Sequence, residues 1–454
     1  MTAPDATSPA ATSTPATSWR DSLAVYLQPR VLIVLFLGFS SGLPLALSGS
    51  TLLVWMREAG VDLKTIGLFA LVGTPYTLKF LWAPLVDALH VPLFTRAFGR
   101  RRGWLLFSQL LLIIAILLLA MTDPGRSPFY VALGALLVAA TSSTQDIVVD
   151  AFRVESLPES EQAAGMAAYV AAYRVGMLVS TAGALFIVSG FEGTGIPRPS
   201  AWMWGYVVMA AMVLIGTITA LAATEPEQSV QAEAVTQEET AFTRVLHAAI
   251  GAFSEFLSRK DAFAALAFVV LFKFTDAFSG TMTAPFVIDL GFTRNDYAAI
   301  VKGVGLAATL IGGFAGGFVA RRYSLATSLL IGGVMQALAN LTFSWLAVVG
   351  TNQWALALAI CAENFTSAIG TVIFVAYLSA LCQNPLHTAT QYALLTALAA
   401  VGRTYLSSGA GFVADTTGWP LFFVICVLVA IPSLVLLAWL QKRGHFEALG
   451  PVRV

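Results

Sequence analysis

The chain has 454 residues, of which 57% are hydrophobic and 11% charged, and its mean hydropathy is +0.79. A soluble domain carries about 25% charged residues, so this composition excludes an ordinary water-soluble fold and points to a lipid environment. The 25 Lys and Arg balance the 25 Asp and Glu, so no charge excess points to nucleic acid.

Residues 1–18, MTAPDATSPAATSTPATS, lack the basic start and apolar core of a signal peptide and read as a disordered cytoplasmic tail. Twelve apolar runs follow: 31–55, 65–87, 103–121, 128–151, 163–189, 202–222, 261–288, 297–319, 324–349, 352–381, 388–413 and 418–440. Each approaches the about 20 residues that a bilayer-spanning helix needs. The longest connection holds TEPEQSVQAEAVTQEET and then FTRVLHAAIGAFSEFLSRK, an amphipathic stretch suited to a membrane surface. It divides the chain into an N-terminal six-helix bundle (19–223), a cytoplasmic linker (224–260), a C-terminal six-helix bundle (261–441) and a short cytoplasmic tail (442–454). With both termini inside, the inner segments hold 15 Lys and Arg and the outer loops five, Arg57, Lys64, Arg126, Arg198 and Arg294. That bias fixes the expected orientation. Cys361, Cys382 and Cys426 all fall inside apolar runs and read as small buried hydrophobes.

The two halves echo each other. Gln162 and Arg174 are twelve apart, as are Gln391 and Arg403; Gly60 matches Gly291; and APLVD followed by GRRR is echoed by GGFVARR. The offsets are 229, 231 and about 233 residues. Parallel repeats of six helices resemble the major facilitator architecture: all-α, twelve spans in two bundles. The acid Asp87 before Arg100, Arg101 and Arg102 looks like that superfamily's inner-loop motif, with a longer spacing than usual, and reads as a gate latch.

A charge at the bilayer centre costs about 2.5–3.5 kcal/mol on insertion scales, so each one needs a reason. The deep ones are Lys79, Asp146 beside Gln145, Arg174, Lys273, Asp276, Lys302, Glu363 beside Asn364, and Arg403; Asp150 and Arg153 lie nearer the inner surface. Basic groups outnumber deep acids, which suits an anionic substrate. Plainer readings stand beside this one. Lys273 with Asp276 also fits a helix-internal pair, Lys302 a side chain snorkelling outward, Asp150 with Arg153 a helix-end pair at the gate, and Arg174 and Arg403 packing anchors. Gly38 and Gly42 interrupt the first span and fit either backbone exposed to a cavity or close helix packing. No GxxxxGK[ST] phosphate loop is present, and the four histidines are unclustered, so neither ATP drive nor an enzyme is expected. A buried acid that takes and releases a proton is the expected coupling device, with Asp146, Asp276 and Glu363 as candidates and no other cofactor. Asp146, Asp150 and Arg153 share one helical face, with Asp146 the deepest.

GFSSGLPLAL, TPYTLKFLWAPLVD, STQDIVVDAFRVE and EQAAGMAAYVAAYRVGMLVSTAGAL together resemble the AmpG muropeptide permeases, most closely over the first five spans. GVMQALANLTFSW and AENFTSAIGTVIFVAYLSALC fit as well. The resemblance implies a bacterial inner-membrane symporter, working as a monomer, that uses the proton gradient. It would carry N-acetylglucosaminyl-1,6-anhydro-N-acetylmuramyl peptides from periplasm to cytoplasm for peptidoglycan recycling, which feeds β-lactamase induction. It also implies a functional role for Gln145 and Asp146. Some members have two further C-terminal spans; none is counted here. A related acetyl-coenzyme A carrier, or a siderophore or drug permease, is the alternative.

Overall fold

The computed structural model of the protein describes residues 24–226, 243, 257–258, 260–381 and 388–449. The expected N-terminal tail, most of the linker with its amphipathic stretch, Cys382 and residues 450–454 lie outside them.

Among the described residues, ten helices are long and apolar enough to cross a membrane. The first is a pair, α1 (Pro29–Leu47) and α2 (Ser50–Glu58), broken where Pro44 cannot donate its backbone bond and Gly49 follows. The Ser48 hydroxyl donates to the Pro44 carbonyl (3.2 Å), which also accepts from the Ser48 N–H (3.1 Å). Then come α3 (Arg100–Ala120), α4 (Pro128–Ser156), α5 (Glu159–Leu178) and α6 (Arg198–Ala222). A π-helical turn, Val179–Gly183, extends α5 into Ala184–Gly193. In the second half stand α7 (Ala262–Asp289), α8 (Gly305–Arg322), α9 (Leu325–Val349), α10 (Gln353–Leu381), α11 (Thr388–Tyr405) and α12 (Trp419–Lys442). A second π turn, Tyr297–Val304, leads into α8 behind a capping box at Thr293 and Asp296.

Two expected runs, the second containing α11, contribute no helix to those ten. Residues 63–88 form Leu63–Leu68, Thr74–Leu78 and Ala83–Ala88, joined by 3-10 turns. Gly73, Pro75 and Pro84 lie at those joints, where a missing N–H or side chain weakens the helix. Likewise α11 stops at Tyr405, and a 3-10 turn through Ser407, Ser408 and Gly409 leads to Ala410–Thr417.

Helix contacts repeat between the halves. In the first half α1 packs on α5 and α3 on α6; in the second α7 packs on α11 and α9 on α12. The matched glycines play one role: Gly60 (φ 82°) ends α2 and Gly291 (φ 91°) ends α7, both in the left-handed region. Large apolar side chains point outward, among them Leu110, Ile114, Leu118, Phe314 and Phe318. Such a surface belongs in lipid rather than water.

Of the two readings of Gly38 and Gly42, the structure favours close packing: both are buried in the α1–α5 crossing. A Cβ on Gly38 would stand 2.6 Å from the Tyr169 carbonyl, and one on Gly42 2.1 Å from the Tyr173 carbonyl. These are close-packing glycines that let two backbones touch. Gly42→Ala is therefore expected to cost about 1–3 kcal/mol through overpacking. Thermal unfolding in detergent checks this: Gly42→Ala should melt lower, while Gly313→Ala, where a Cβ meets nothing within 4 Å, should not.

Candidate functional site

Between the first half (24–226) and the second (260–449) lies a cavity in two adjoining lobes. One, about 410 Å³, is walled by Ser48, Phe69, Tyr76, Arg403 and Thr404, with Ala277 and Gly280 of α7. The other, about 300 Å³, is walled by Arg174, Thr181, Thr283, Lys302, Thr309, Glu363 and Asn364. Ser50, Leu53, Met177 and Gly280 belong to both walls.

The two repeat-related arginines stand one in each lobe. Arg174 projects from α5 and Arg403 from α11. Both side chains are exposed to the cavity, and neither makes an ion pair or hydrogen bond among the described residues. A guanidinium that only packed would be satisfied, so two unpaired ones in one cavity are available to an anionic ligand.

The other charges divide into spoken-for and available. Lys273 pairs with Asp276 (3.4 Å), donates to Thr371 Oγ1 (2.8 Å) and sits over the Phe374 ring. Asp276 also accepts from the Ser367 hydroxyl (2.9 Å). This pair ties α7 to α10. Glu363 Oε2 accepts from Asn364 Nδ2 (2.7 Å), and Asn364 Oδ1 accepts from Thr309 (3.2 Å). Lys302 lies over the Tyr297 ring at 5.4 Å.

Asp146 sits a layer behind the wall, on α4, at 7% exposure. Its Oδ1 has no hydrogen-bond partner. Around it are the Ser41 hydroxyl, Tyr76, Tyr169 and Tyr173, and Lys79 exerts the attractive charge on it. Gln145, fully buried, reaches Ser40 (3.4 Å) and Ser41 (3.5 Å), and its Oε1 is also unpartnered. Asp150, one turn on, has a side chain 48% exposed and only a long contact, 3.9 Å, with Arg153. The two acids therefore differ in environment as their depth in the sequence suggests.

Ion pairs between the halves gather at one end, the end of α2 and α7. Arg294, 6% exposed, donates to Glu58 (2.6 Å) and pairs with Glu192. It also lies 5.5 Å over Trp202, whose Nε1 donates to the same Glu58 (3.0 Å). Arg57 pairs with Asp289, which also accepts from Trp419 Nε1 (3.1 Å), and Lys64 pairs with Asp415 (3.2 Å). Deeper in, Thr77 and Thr404 share a hydrogen bond (3.1 Å) across the halves. Sequence reasoning missed this latch, having read Arg57, Lys64 and Arg294 as loop charges. A signal existed: Glu58 and Asp289 each stand two residues before a matched glycine, and each acid meets an arginine of the opposite half.

At the opposite end Arg100 (3.2 Å) and Arg101 (2.5 Å) pair with Glu155 of α4. Glu225 accepts from the backbone N–H of Arg101 and Arg102 (2.8 and 3.0 Å), a carboxylate at the start of α3. Arg102 donates to the Ala220 and Leu221 carbonyls that end α6. The acids seen on this cluster are Glu155 and Glu225; the Asp87 side chain lies outside the described residues.

An all-helical body with an apolar exterior and a cavity carrying charged side chains between matching halves fits a membrane transporter of small molecules. The model of the Major Facilitator Superfamily matches residues 34–407. The chain is 39% identical to the anhydromuropeptide permease of Escherichia coli K12, over 91% of this chain and 80% of that protein. It is 34% identical to the putative transporter AmpG 4 of Rickettsia felis, over 92% and 98%. Among solved structures it resembles the nucleoside transporter NupG (TM-score 0.68, 14% identity, 93% of this chain and 100% of that one). It also resembles a D-xylose–proton symporter (TM-score 0.64, 12% identity, 91% and 97%). The chain belongs to the AmpG permease family of the Major Facilitator Superfamily.

Removing one partner of a buried pair costs about 3–5 kcal/mol, because the other charge is left unpaired. Arg294→Gln should therefore loosen the latch. Spin labels at positions 126 and 354, exposed on opposite halves, should report longer and broader distances in Arg294→Gln than in the parent. An unchanged distribution would show that the latch does not hold the ends together.

Proposed function

We propose that this protein is a proton-coupled importer of anhydromuropeptides that works by alternating access. The observation that carries this reading is the pair of unpaired arginines, Arg174 and Arg403, facing one cavity from opposite halves. A muropeptide brings peptide carboxylates for them and a disaccharide for the hydroxyls and rings of the larger lobe. The 39% identity to a permease named for that substrate supports the choice. Acetyl-coenzyme A, another anion, would also suit two cavity arginines.

In this reading the chain crosses the membrane twelve times as two six-helix bundles, the broken segments 63–88 and 388–417 counting as crossings two and eleven. Both termini are cytoplasmic, so the Arg294 latch closes the periplasmic side and the cavity is read as open inward. The protein acts as a monomer in the bacterial inner membrane and serves peptidoglycan recycling, and through it β-lactamase induction.

Asp146 is the proposed proton carrier. Asp276 is held by Lys273 and Ser367, and Glu363 stands in the cavity wall with one oxygen on Asn364, whereas Asp146 is buried behind that wall with an unpartnered oxygen among hydroxyls. Gln145 and Lys79 orient and balance it. Asp150 and Arg153, with Arg100–Arg102 and Asp87, belong to the inner gate.

The test is uptake of labelled anhydromuropeptide into proteoliposomes, with and without an inward proton gradient. Concentrative uptake should need the gradient, and excess acetyl-coenzyme A should not compete. Asp146→Asn should abolish concentration, while Asp150→Asn should keep most of it; equal loss would defeat the assignment of the proton to Asp146. Arg174→Gln and Arg403→Gln should each raise KM roughly tenfold or more, since a hydrogen bond to a charged group contributes about 1.5–3 kcal/mol.

A further inference from the structure

The smaller lobe is chemically unlike the larger one. It contains an acid as well as bases, and its walls come from different halves: Arg174 from α5, Glu363 from α10. Arg174 is exposed and has no partner among the described residues. Glu363 uses Oε2 to accept from Asn364, while its Oε1 accepts no hydrogen bond among the described residues. Lys302 lies near enough to act on Glu363, but its ammonium rests on the Tyr297 ring and forms no ion pair there. Thr181, Thr283, Thr309 and Asn364 complete the wall with short hydrogen-bonding groups.

The backbone is also unusual here. The π turns Val179–Gly183 and Tyr297–Val304 pack against each other across the halves, and both contribute to this wall through Thr181, Tyr297, Val301 and Lys302. Single π turns inside α-helices concentrate at functional sites, because the extra residue re-aims side chains. A purely anionic ligand would meet the Glu363 carboxylate and be repelled by it. A ligand with one ammonium and one carboxylate would satisfy both unpaired groups at once.

We propose that this lobe is a subsite for a zwitterionic peptide end, with Glu363 binding its ammonium group and Arg174, from the opposite half, binding its carboxylate. The assignment rests on the reading of the cavity as a muropeptide site. It adds that the peptide, not the disaccharide, enters this lobe. It also makes the ligand a bridge, because its two charges are held by helices of different halves.

The experiment uses the full-length protein in proteoliposomes and two labelled probes. One is an anhydromuropeptide whose last peptide residue has a free amine and a free carboxylate; the other is the same molecule with that amine acetylated. In the parent protein acetylation should lower kcat/KM about tenfold or more, the size of a lost charge-assisted hydrogen bond. Glu363→Gln should carry the free-amine probe as poorly as the parent carries the acetylated one. Acetylation should then cost the variant nothing further, and equal transport of the acetylated probe by both proteins shows that the variant is folded. Should Glu363→Gln carry neither probe, calorimetric binding of the two probes to the purified full-length variant takes the place of uptake, and the same comparison decides. Equal transport of the two probes by the parent, or an acetylation penalty that survives in the variant, overturns the subsite. No uptake of either probe by the parent overturns the muropeptide reading as well.

Discussion

A charge inside a protein that spans lipid must find a counter-charge, a hydrogen-bonding shell or water, and this one constraint orders the structure. Where a partner is built in, the charge holds helices together: Lys273–Asp276 joins α7 to α10, and Glu155 clamps Arg100 and Arg101 between α4 and α3. Where none is built in, the charge faces the cavity. Arg174 and Arg403 are in that position, and their isolation follows from the two-lobed space between the halves. The same bookkeeping separates Asp146 from Asp276 on adjacent elements of the site: both are deep acids, but one is saturated and one is not.

Internal symmetry does more than double the fold. The matched glycines end matched helices, and the acids two residues before them face arginines of the other half. The interface therefore contains two crossed pairs, Arg57–Asp289 and Glu58–Arg294, with Trp419 and Trp202 donating to the two acids. The two acids are repeat-related, but the two arginines are not: at the same 231-residue offset Arg57 matches Ile288 and Arg294 matches Leu63. Because the latch lies at one end, breaking it frees that end while Thr77–Thr404 remains deeper in.

Much of this was legible in the residues. Length of apolar run placed ten helices, and the spacing of Gln and Arg exposed the repeat. Three things were not legible. Gly38 and Gly42 look identical in sequence whether they line a cavity or pack a helix, and only the distance to Tyr169 and Tyr173 decides. The arginines at 57 and 294 read as loop charges, because nothing in a one-dimensional pattern says that they cross between halves. The Arg100–Arg102 cluster also has Glu155, from the next helix, and Glu225, from beyond α6, as partners that the inner-loop motif does not announce. Local periodicity carries the helix; long-range partners depend on how helices meet.

The broken segments 63–88 and 388–417 bear on how the protein is made. The ten long helices are each apolar enough to leave the insertion machinery for lipid on their own. The two interrupted segments expose backbone groups at their 3-10 joints, which hydrocarbon cannot satisfy without a protein neighbour. They pack on one another across the halves, Leu63–Leu68 against Ala410–Thr417 and Phe69–Gly73 against α11. The first is synthesised well before the second. The seam between the halves is thus completed only once the later segment is made, and until then the early segment depends on its own bundle, chiefly α4, for shelter.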